Sequence, residues 1–274
     1  MRKSWLTAAS AFASAVAAQG HSAELYSPPS PVQFGDVRVG TSASASASVV
    51  ILEPIDSGQI AAATAPFSGG PVSMVTTTKT ELTPTYGFTP TTSGSATENL
   101  NISAINLNLK IEQPGTLTLS GTGVGPLYQS TPAPGGTINF GTVAQGTTGV
   151  KDLLVSNGST DPGAPALTGL TLLTAGVTGG VGFTLANFTA GTILNEGNMF
   201  DLKIDFSSLT SGPESATLAI QTDQGAALGT AGAVFDYTLT ANVAPAPEPS
   251  ALAALAGLGA YAGFAAIRRR RRTG

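Results

Sequence analysis

The sequence of 274 residues contains no cysteine and a single histidine, His21. The lack of cysteine excludes disulfides, thiolate metal sites and a cysteine nucleophile. Because the one histidine lies near the N-terminus, the body of the chain cannot form a Ser-His-Asp triad, a histidine-based metal cluster or a histidine general base. These absences predict a protein that is not an enzyme and that carries no cofactor and no metal.

Charge is also scarce. Charged residues make up 10% of the chain, against about 25% in typical proteins. Between residues 19 and 246 there are five basic and fifteen acidic residues, a net charge of −10. A body this acidic has no basic stripe to neutralise phosphates, so we expect no binding to nucleic acid.

The N-terminus has the pattern of a secretory signal. Arg2 and Lys3 precede an apolar, alanine-rich stretch over residues 5–18, and a short basic region followed by an apolar segment is typical of a signal peptide. Residues 16–18 fit the small-x-small cleavage rule. We therefore predict a signal peptide over 1–18, cleaved after Ala18, with cleavage after Ala23 as the second candidate.

The C-terminus has three parts in sequence. Pro247, Glu248 and Pro249 precede a stretch without charge over 251–267. As a helix this stretch would span about 25 Å, slightly less than a hydrocarbon core of about 30 Å. Arginines at the end of such a helix stay in the cytoplasm, which places the body outside. The arginines are Arg268, Arg269, Arg270, Arg271 and Arg272.

These three parts resemble the PEP-CTERM sorting signal of Gram-negative bacteria, although the helix here is rich in alanine rather than leucine. The resemblance covers residues 245–274. It implies that exosortase, a membrane protease, recognises Pro247, Glu248 and Pro249. Residues 251–267 would cross the inner membrane transiently, and the arginine cluster 268–272 would act as the cytoplasmic stop.

Both ends therefore imply export. The expected partners are the Sec machinery, signal peptidase, exosortase and, transiently, the inner membrane. After processing, the protein would lie on the cell surface or in the extracellular matrix. There it would contribute to biofilm structure or adhesion, with exopolysaccharide or other surface proteins as candidate partners.

The body consists of two copies of one unit. Each copy contains the pattern apolar-x-Phe-Gly-x-Val-x-x-Gly-Thr, and two further segments recur in the same order. We therefore predict two domains, 29–126 and 127–244, joined near Gly125-Pro126. The aligned segments are 31–41 with 137–147, 88–97 with 206–217, and 115–124 with 235–243.

Each copy has the signature of β-structure. Apolar and polar residues alternate around Leu117 and Leu119, and again over 105–111, 202–206 and 237–240. This period of two is typical of half-buried strands. The predicted fold is all-β, with two tandem immunoglobulin-like β-sandwiches between an N-terminal signal peptide and a C-terminal transmembrane sorting helix. We expect Phe34, Phe140, Phe88 and Phe206 to fill the cores rather than to form a ligand site.

The copies also resemble the ASPM-SPD-2-Hydin type of immunoglobulin-like domain, found in bacterial surface proteins of the choice-of-anchor D type. The matching residues are the Phe-Gly strand of each copy, the turn over 88–94 and the segment Leu-Ser-Gly-Thr-Gly-Val at 119–124. The second copy lacks the turn proline and ends in Leu-Thr-Ala-Asn-Val at 239–243. The resemblance implies adhesion or scaffolding and no catalytic residues.

Two alternatives stay open. The first is a surface module that binds carbohydrate or calcium at the loops of one sandwich. The second, a remote one, is a glycan-active enzyme that uses two carboxylates, either Asp201 with Asp205 or Glu196 with Asp201. Since Lys203 lies between the two aspartates on the same strand face, a solvated surface is the simpler interpretation.

Overall fold

A computed structural model describes residues 23–161 and 165–245, and all structural statements below concern these residues. The two copies form two hydrophobic cores that share no residue. Leu25 and Tyr26 already belong to the first core, ahead of residue 29. The predicted signal peptide and the sorting region 246–274 lie outside the described residues.

The first copy contains ten strands. One layer is a five-stranded sheet with the order β1-β10-β9-β4-β6, and the facing layer contains the sheets β2-β8-β5 and β3-β7. The strands are β1 (Val32–Arg38), β2 (Ala43–Ser46), β3 (Val49–Ile51), β4 (Ser57–Ile60), β5 (Phe67–Ser68), β6 (Val72–Ser73), β7 (Thr80–Leu82), β8 (Thr85–Phe88), β9 (Gly94–Asn106) and β10 (Ile111–Val124).

The second copy contains nine strands and one helical turn among its described residues. Its two sheets have the orders β11-β13-β17-β15 and β12-β19-β18-β14-β16. The elements are β11 (Tyr128–Thr131), β12 (Thr137–Ala144), β13 (Thr148–Asn157), α1 (Pro165–Thr168), β14 (Leu170–Thr178), β15 (Phe183–Leu185), β16 (Thr192–Leu194), β17 (Met199–Ser207), β18 (Gly212–Thr222) and β19 (Val234–Ala244).

A proline explains why the facing layer of the first copy is split. The pairs Ser46 with Thr85 and Val49 with Leu82 belong to one antiparallel register that continues across the gap. Ala47 lies opposite Pro84 and donates its N–H to the Pro84 carbonyl. Because proline has no N–H to return, the ladder is interrupted there. The second copy has no proline at this place, and β13 pairs with β17 without a break.

Both copies follow the strand order of an immunoglobulin-like sandwich. In the second copy β11-β13-β17-β15 corresponds to the A-B-E-D sheet and β14-β18-β19 to the C-F-G sheet. The first strand of the repeat pattern, β1 or β12, adds to the second sheet by parallel pairing with β10 or β19. The prediction of an all-β sandwich fold is confirmed.

The predicted core aromatics lie in the cores, and each copy adds a third ring. Phe88 and Phe206 are fully buried, Phe140 is nearly so, and Phe34 is half-buried against its core. The additional rings come from β5 and β15, and their centroids lie 4.9 and 4.5 Å from those of Phe88 and Phe206. Such ring contacts contribute about 0.5–1.5 kcal/mol beyond area burial. The two triads are Phe34, Phe67, Phe88 and Phe140, Phe183, Phe206.

A glycine bulge follows the first aromatic of each triad. Gly35 and Gly141 have φ values of +68° and +69°, a region that residues with a Cβ rarely adopt. The parallel register shifts at this point in both copies, between Gln33 and Asp36 in the first. The glycine of the repeated pattern therefore permits a bulge in the edge strand.

The prediction of one strand over 105–111 is wrong. β9 ends at Asn106 and β10 begins at Ile111, so the segment is a hairpin turn. The Asn106 side chain accepts a hydrogen bond from the Leu109 N–H at 2.8 Å, and Lys110 has a φ of +55°. Asparagine favours such local bonds in turns. The leucines of the turn continue the alternating pattern of apolar and polar residues, but they do not lie in a strand: Leu107 is 70% exposed.

Candidate functional site at the junction of the sandwiches

The residues predicted to direct export lie at the two ends of the chain, beyond residues 23–245. The cleavage position Ala18, the motif Pro247, Glu248 and Pro249, and the cluster 268–272 all lie outside the described residues. None of the described helices is long and apolar enough to cross a membrane.

The carboxylates considered for catalysis lie on an exposed sheet face. Asp201, Lys203 and Asp205 follow each other on the outer side of β17, and Glu196 lies in the exposed loop before it. The Lys203 Nζ is 3.2 Å from Asp152 Oδ1 and 3.8 Å from Asp201 Oδ2, with all three side chains about half exposed. The carboxylates raise the pKa of Lys203, Asp152 more than Asp201. This is a solvated ion-pair surface, as the alternation predicted.

Within residues 23–161 and 165–245, no three His, Asp or Glu side chains come together as a metal site would require. Neither Asp201 with Asp205 nor Glu196 with Asp201 forms an enclosed pair. The prediction that the chain is not an enzyme stays a prediction.

The most highly connected charged side chain lies where the two sandwiches meet. Arg38, the last residue of β1, is buried there. Its Nε donates to the Ala226 carbonyl at 2.7 Å, and its Nη1 donates to the carbonyls of Leu167 and Gly169 at 2.7 and 3.0 Å. Its Nη2 donates to the Asp223 carbonyl at 3.3 Å and lies 3.1 Å from Asp223 Oδ1. One side chain of the first copy thus binds two segments of the second.

Asp223 is held by its own sandwich. Its Oδ1 accepts a hydrogen bond from the Thr171 N–H, and its Oδ2 accepts one from the Gly229 N–H, both at 2.8 Å. Burial lowers the pKa of Arg38, and the Asp223 carboxylate acts in the opposite direction. Because the ordinary pKa of arginine exceeds about 12, the guanidinium keeps its charge. The junction therefore contains a buried ion pair. Hydrogen bonds within the second sandwich orient its carboxylate independently of Arg38.

Two loops that are longer in the second copy form the socket for Arg38. The connection that contains α1 covers 158–169, whereas its counterpart in the first copy covers only 52–56. The loop before β19 covers 223–233, against 107–110 before β10. Leu167, Gly169, Asp223 and Ala226 all belong to these longer loops. The socket has no equivalent at the same end of the first copy.

A second polar contact crosses the junction beside the first. The Ser93 hydroxyl donates to Asp161 Oδ2 at 2.7 Å, and the Gly125 N–H donates to the same oxygen at 2.9 Å. The Ser159 hydroxyl donates to the Gly125 carbonyl at 2.7 Å. Both the N–H and the carbonyl of Gly125 in the short linker are therefore hydrogen-bonded to the second copy.

The backbones also approach closely at the junction. Gly40 has a φ of +82°, and a Cβ built on it would collide with the Gly225 carbonyl of the other sandwich. Its counterpart Gly146 has a φ of +77°, and there a Cβ would meet only Leu209 Cδ2 at 3.7 Å. Both glycines are required by their φ, but Gly40 is also required by the contact.

Sequence reasoning missed this junction. In the sequence, Arg38 is one of five basic residues between 19 and 246, and Asp223 is one of fifteen acidic ones. The repeat itself contained a signal, since Arg38 aligns with Ala144 at the end of an otherwise similar strand. A charged residue that replaces alanine at the end of a core strand indicates a copy-specific contact.

Comparison with known proteins adds fold-level likeness only. No family model matches the chain, and no curated protein matches it. A Porphyromonas gingivalis W83 protein of unknown function is similar at 10% identity and a TM-score of 0.32, covering 79% of this chain and all of that one. The PapD-like domain 7 of human CEP192, an ASH domain, is 15% identical at a TM-score of 0.31, covering 44% and 87%.

The titin immunoglobulin tandem A164-A165 is also similar, at 10% identity and a TM-score of 0.24, covering 81% of this chain and 99% of that one. These scores are low, so the fold assignment depends on the strand order of this chain and not on the likeness. What the site itself can do is mechanical: it fixes one sandwich against the other.

Proposed function

We propose that this chain is an exported, non-catalytic protein of a bacterial cell surface or extracellular matrix, with two immunoglobulin-like sandwiches that act as one unit. The observation that carries the proposal is the order of the C-terminal parts. Pro247, Glu248 and Pro249, an uncharged stretch over 251–267 and five arginines follow directly on an all-β body. Apolar tails of this kind act as processed anchors.

The body supports a structural role. Its residues form the sheet cores, a buried junction and exposed faces rich in hydroxyl groups. Arg38 binds the first sandwich to the second. We further propose that the sandwiches are of the ASPM-SPD-2-Hydin type. Support comes from the repeated Phe-Gly pattern, which forms the bulged edge strand in both copies.

Replacement of the sorting motif tests the proposal in a host that contains exosortase. With Pro247, Glu248 and Pro249 all changed to alanine, we expect the protein to stay in the membrane fraction with its arginine cluster. Unchanged protein should leave the membrane and lose the cluster. Pro245→Ala, just before the motif, is the matched control and should behave as unchanged protein. Equal distribution of all three proteins would contradict exosortase sorting.

A further inference from the structure

Two cavities share the loop that contains Thr91, Thr92 and Ser93, beside the junction. The first has a volume of about 570 Å³ and lies between residues 65–68 and 88–96 of the first sandwich. The second, of about 490 Å³, lies between the first sandwich and residues 125–127, 159–161 and 224–225. Both are lined by Thr91, Thr92 and Ser93, so they adjoin along this loop. We name the combined feature the junction groove.

Hydroxyl groups dominate the polar lining of the junction groove. Among the described residues that line it there is no lysine and no arginine, and Asp161 is the one charged side chain. Asp161 Oδ2 is already occupied by Ser93 and Gly125. Of the lining hydroxyls on exposed residues, those of Ser93 and Thr89 are bonded to Asp161 and Ser42. The others on exposed residues include Thr91, Thr92, Ser95 and Thr160.

Apolar groups supply most of the exposed lining of both cavities. Phe67 and Phe88 close the floor of the first cavity as buried core residues, with Pro66 and Pro90 beside them. Leu127, which is 46% exposed, lines the second cavity. Uncharged hydroxyls beside a larger apolar surface match a ligand that carries hydroxyls and C–H faces but no charge.

We propose that the junction groove binds a neutral polysaccharide, with sugar units of one chain lying on both sandwiches. Sugar hydroxyls both donate and accept hydrogen bonds, as the threonine and serine hydroxyls do. An anionic polymer would meet no cation in the groove and would approach a body of net charge −10. This inference rests on the proposed function, because it names a matrix ligand for the same exported unit.

The junction prepares the groove for binding. Its walls come from both sandwiches, and the contacts of Arg38 and the Ser93–Asp161 bond hold them together before a ligand arrives. A groove that exists in advance avoids the entropy cost of ordering its walls. The volume of each cavity also falls within the range of about 300–1,000 Å³ that is usual for ligand sites.

Titration calorimetry of the purified protein tests the proposal with cellohexaose, laminarihexaose and maltohexaose as neutral probes and an alginate hexamer as the anionic probe. We expect at least one neutral hexasaccharide to bind with a dissociation constant in the millimolar range or tighter. Alginate should bind at least about tenfold more weakly. Preference for alginate, or no binding of any neutral probe, would overturn the proposal.

Thr92→Trp fills the groove from an exposed position and should weaken binding at least about tenfold. The matched control is Thr210→Trp, which changes the same loop position in the second copy and lines neither cavity. It should leave binding unchanged, and equal effects of the two substitutions would also overturn the proposal. Should Thr92→Trp not fold, Thr91→Trp replaces it. Calorimetry on purified protein does not depend on export or tail processing, so failure here is distinct from failure of the proposed function.

Discussion

Arg38 and Asp223 form a buried ion pair across the two sandwiches, with Nη2 and Oδ1 3.1 Å apart. The two residues are 185 positions apart in the chain. Asp223 also accepts hydrogen bonds within its own sandwich, and Arg38 donates further ones to carbonyls of the second sandwich. Removal of one partner from such a pair leaves the other charge buried and uncompensated. We therefore expect the two sandwiches to unfold together, because the junction is a packed contact and not a flexible linker.

Arg38→Ala should lower the free energy of unfolding by about 3–5 kcal/mol, because the Asp223 carboxylate and four carbonyl groups lose their partner. Urea denaturation of the purified protein measures this. Lys79→Ala is the control, since Lys79 and Glu53 form an ion pair at 3.2 Å that is largely exposed. Exposed pairs contribute about 0–1 kcal/mol. Similar losses for both variants would show that the Arg38 pair is not a buried contact.

Gly40→Ala and Gly146→Ala form a second matched pair. Both substitutions place a Cβ on a backbone with positive φ, which costs about 1 kcal/mol. Only the alanine at 40 would also collide with the Gly225 carbonyl. We expect Gly40→Ala to lower the melting temperature clearly more than Gly146→Ala. Calorimetry measures the difference, and equal shifts would contradict the close approach of the two backbones.

Two buried tyrosines should respond in opposite ways to loss of their hydroxyl. Among residues 23–161 and 165–245 the Tyr86 hydroxyl has no hydrogen-bond partner, so Tyr86→Phe removes an unsatisfied polar group and should leave stability unchanged or raise it by about 1 kcal/mol. The Tyr237 hydroxyl lies 2.8 Å from Tyr128 Oη and 2.5 Å from Ser130 Oγ. Tyr237→Phe should therefore cost about 1 kcal/mol. Urea midpoints in the reverse order would refute this assignment.

Stability should fall at alkaline pH. Burial raises the pKa of Tyr128 and Tyr237 above the ordinary value of 10.0, and for Tyr128 the bond with Tyr237 adds to the effect. Above about pH 10 the unfolded chain releases protons that the native protein keeps, so the free energy of unfolding decreases as pH rises. Below that pH these groups add no slope.

Each such tyrosine adds at most about 1.4 kcal/mol per pH unit to the decrease. Urea denaturation between about pH 9 and pH 11 tests the sign. Tyr237→Phe removes one titrating group and should flatten the decrease. A free energy of unfolding that stays constant through this range would contradict the buried position of the hydroxyls.

The sequence predicted local features of the fold well. Alternation around Leu117 and Leu119 marked a real strand, and the Phe-Gly pattern marked the bulged edge strand of each copy. The same rule failed over 105–111 because alternation does not reveal where a chain reverses. The local hydrogen bond of Asn106 decides that.

The junction and the groove could not be predicted in the same way. Their contacts join residues far apart in the chain, such as Ser93 with Asp161 and Arg38 with Asp223. Neither pair belongs to a recognisable sequence motif, because the number of residues between the two partners does not indicate that they are in contact. Only a comparison of the two copies, in which Ala144 replaces Arg38, carried a trace of the contact.

The mass of the mature protein, recovered from the cell surface or the medium of a host with exosortase, tests export and processing together. The account predicts a chain that begins after Ala18 or Ala23 and lacks residues 268–272. Mature protein that retains the arginine cluster, or full-length protein found inside the cell, would contradict it.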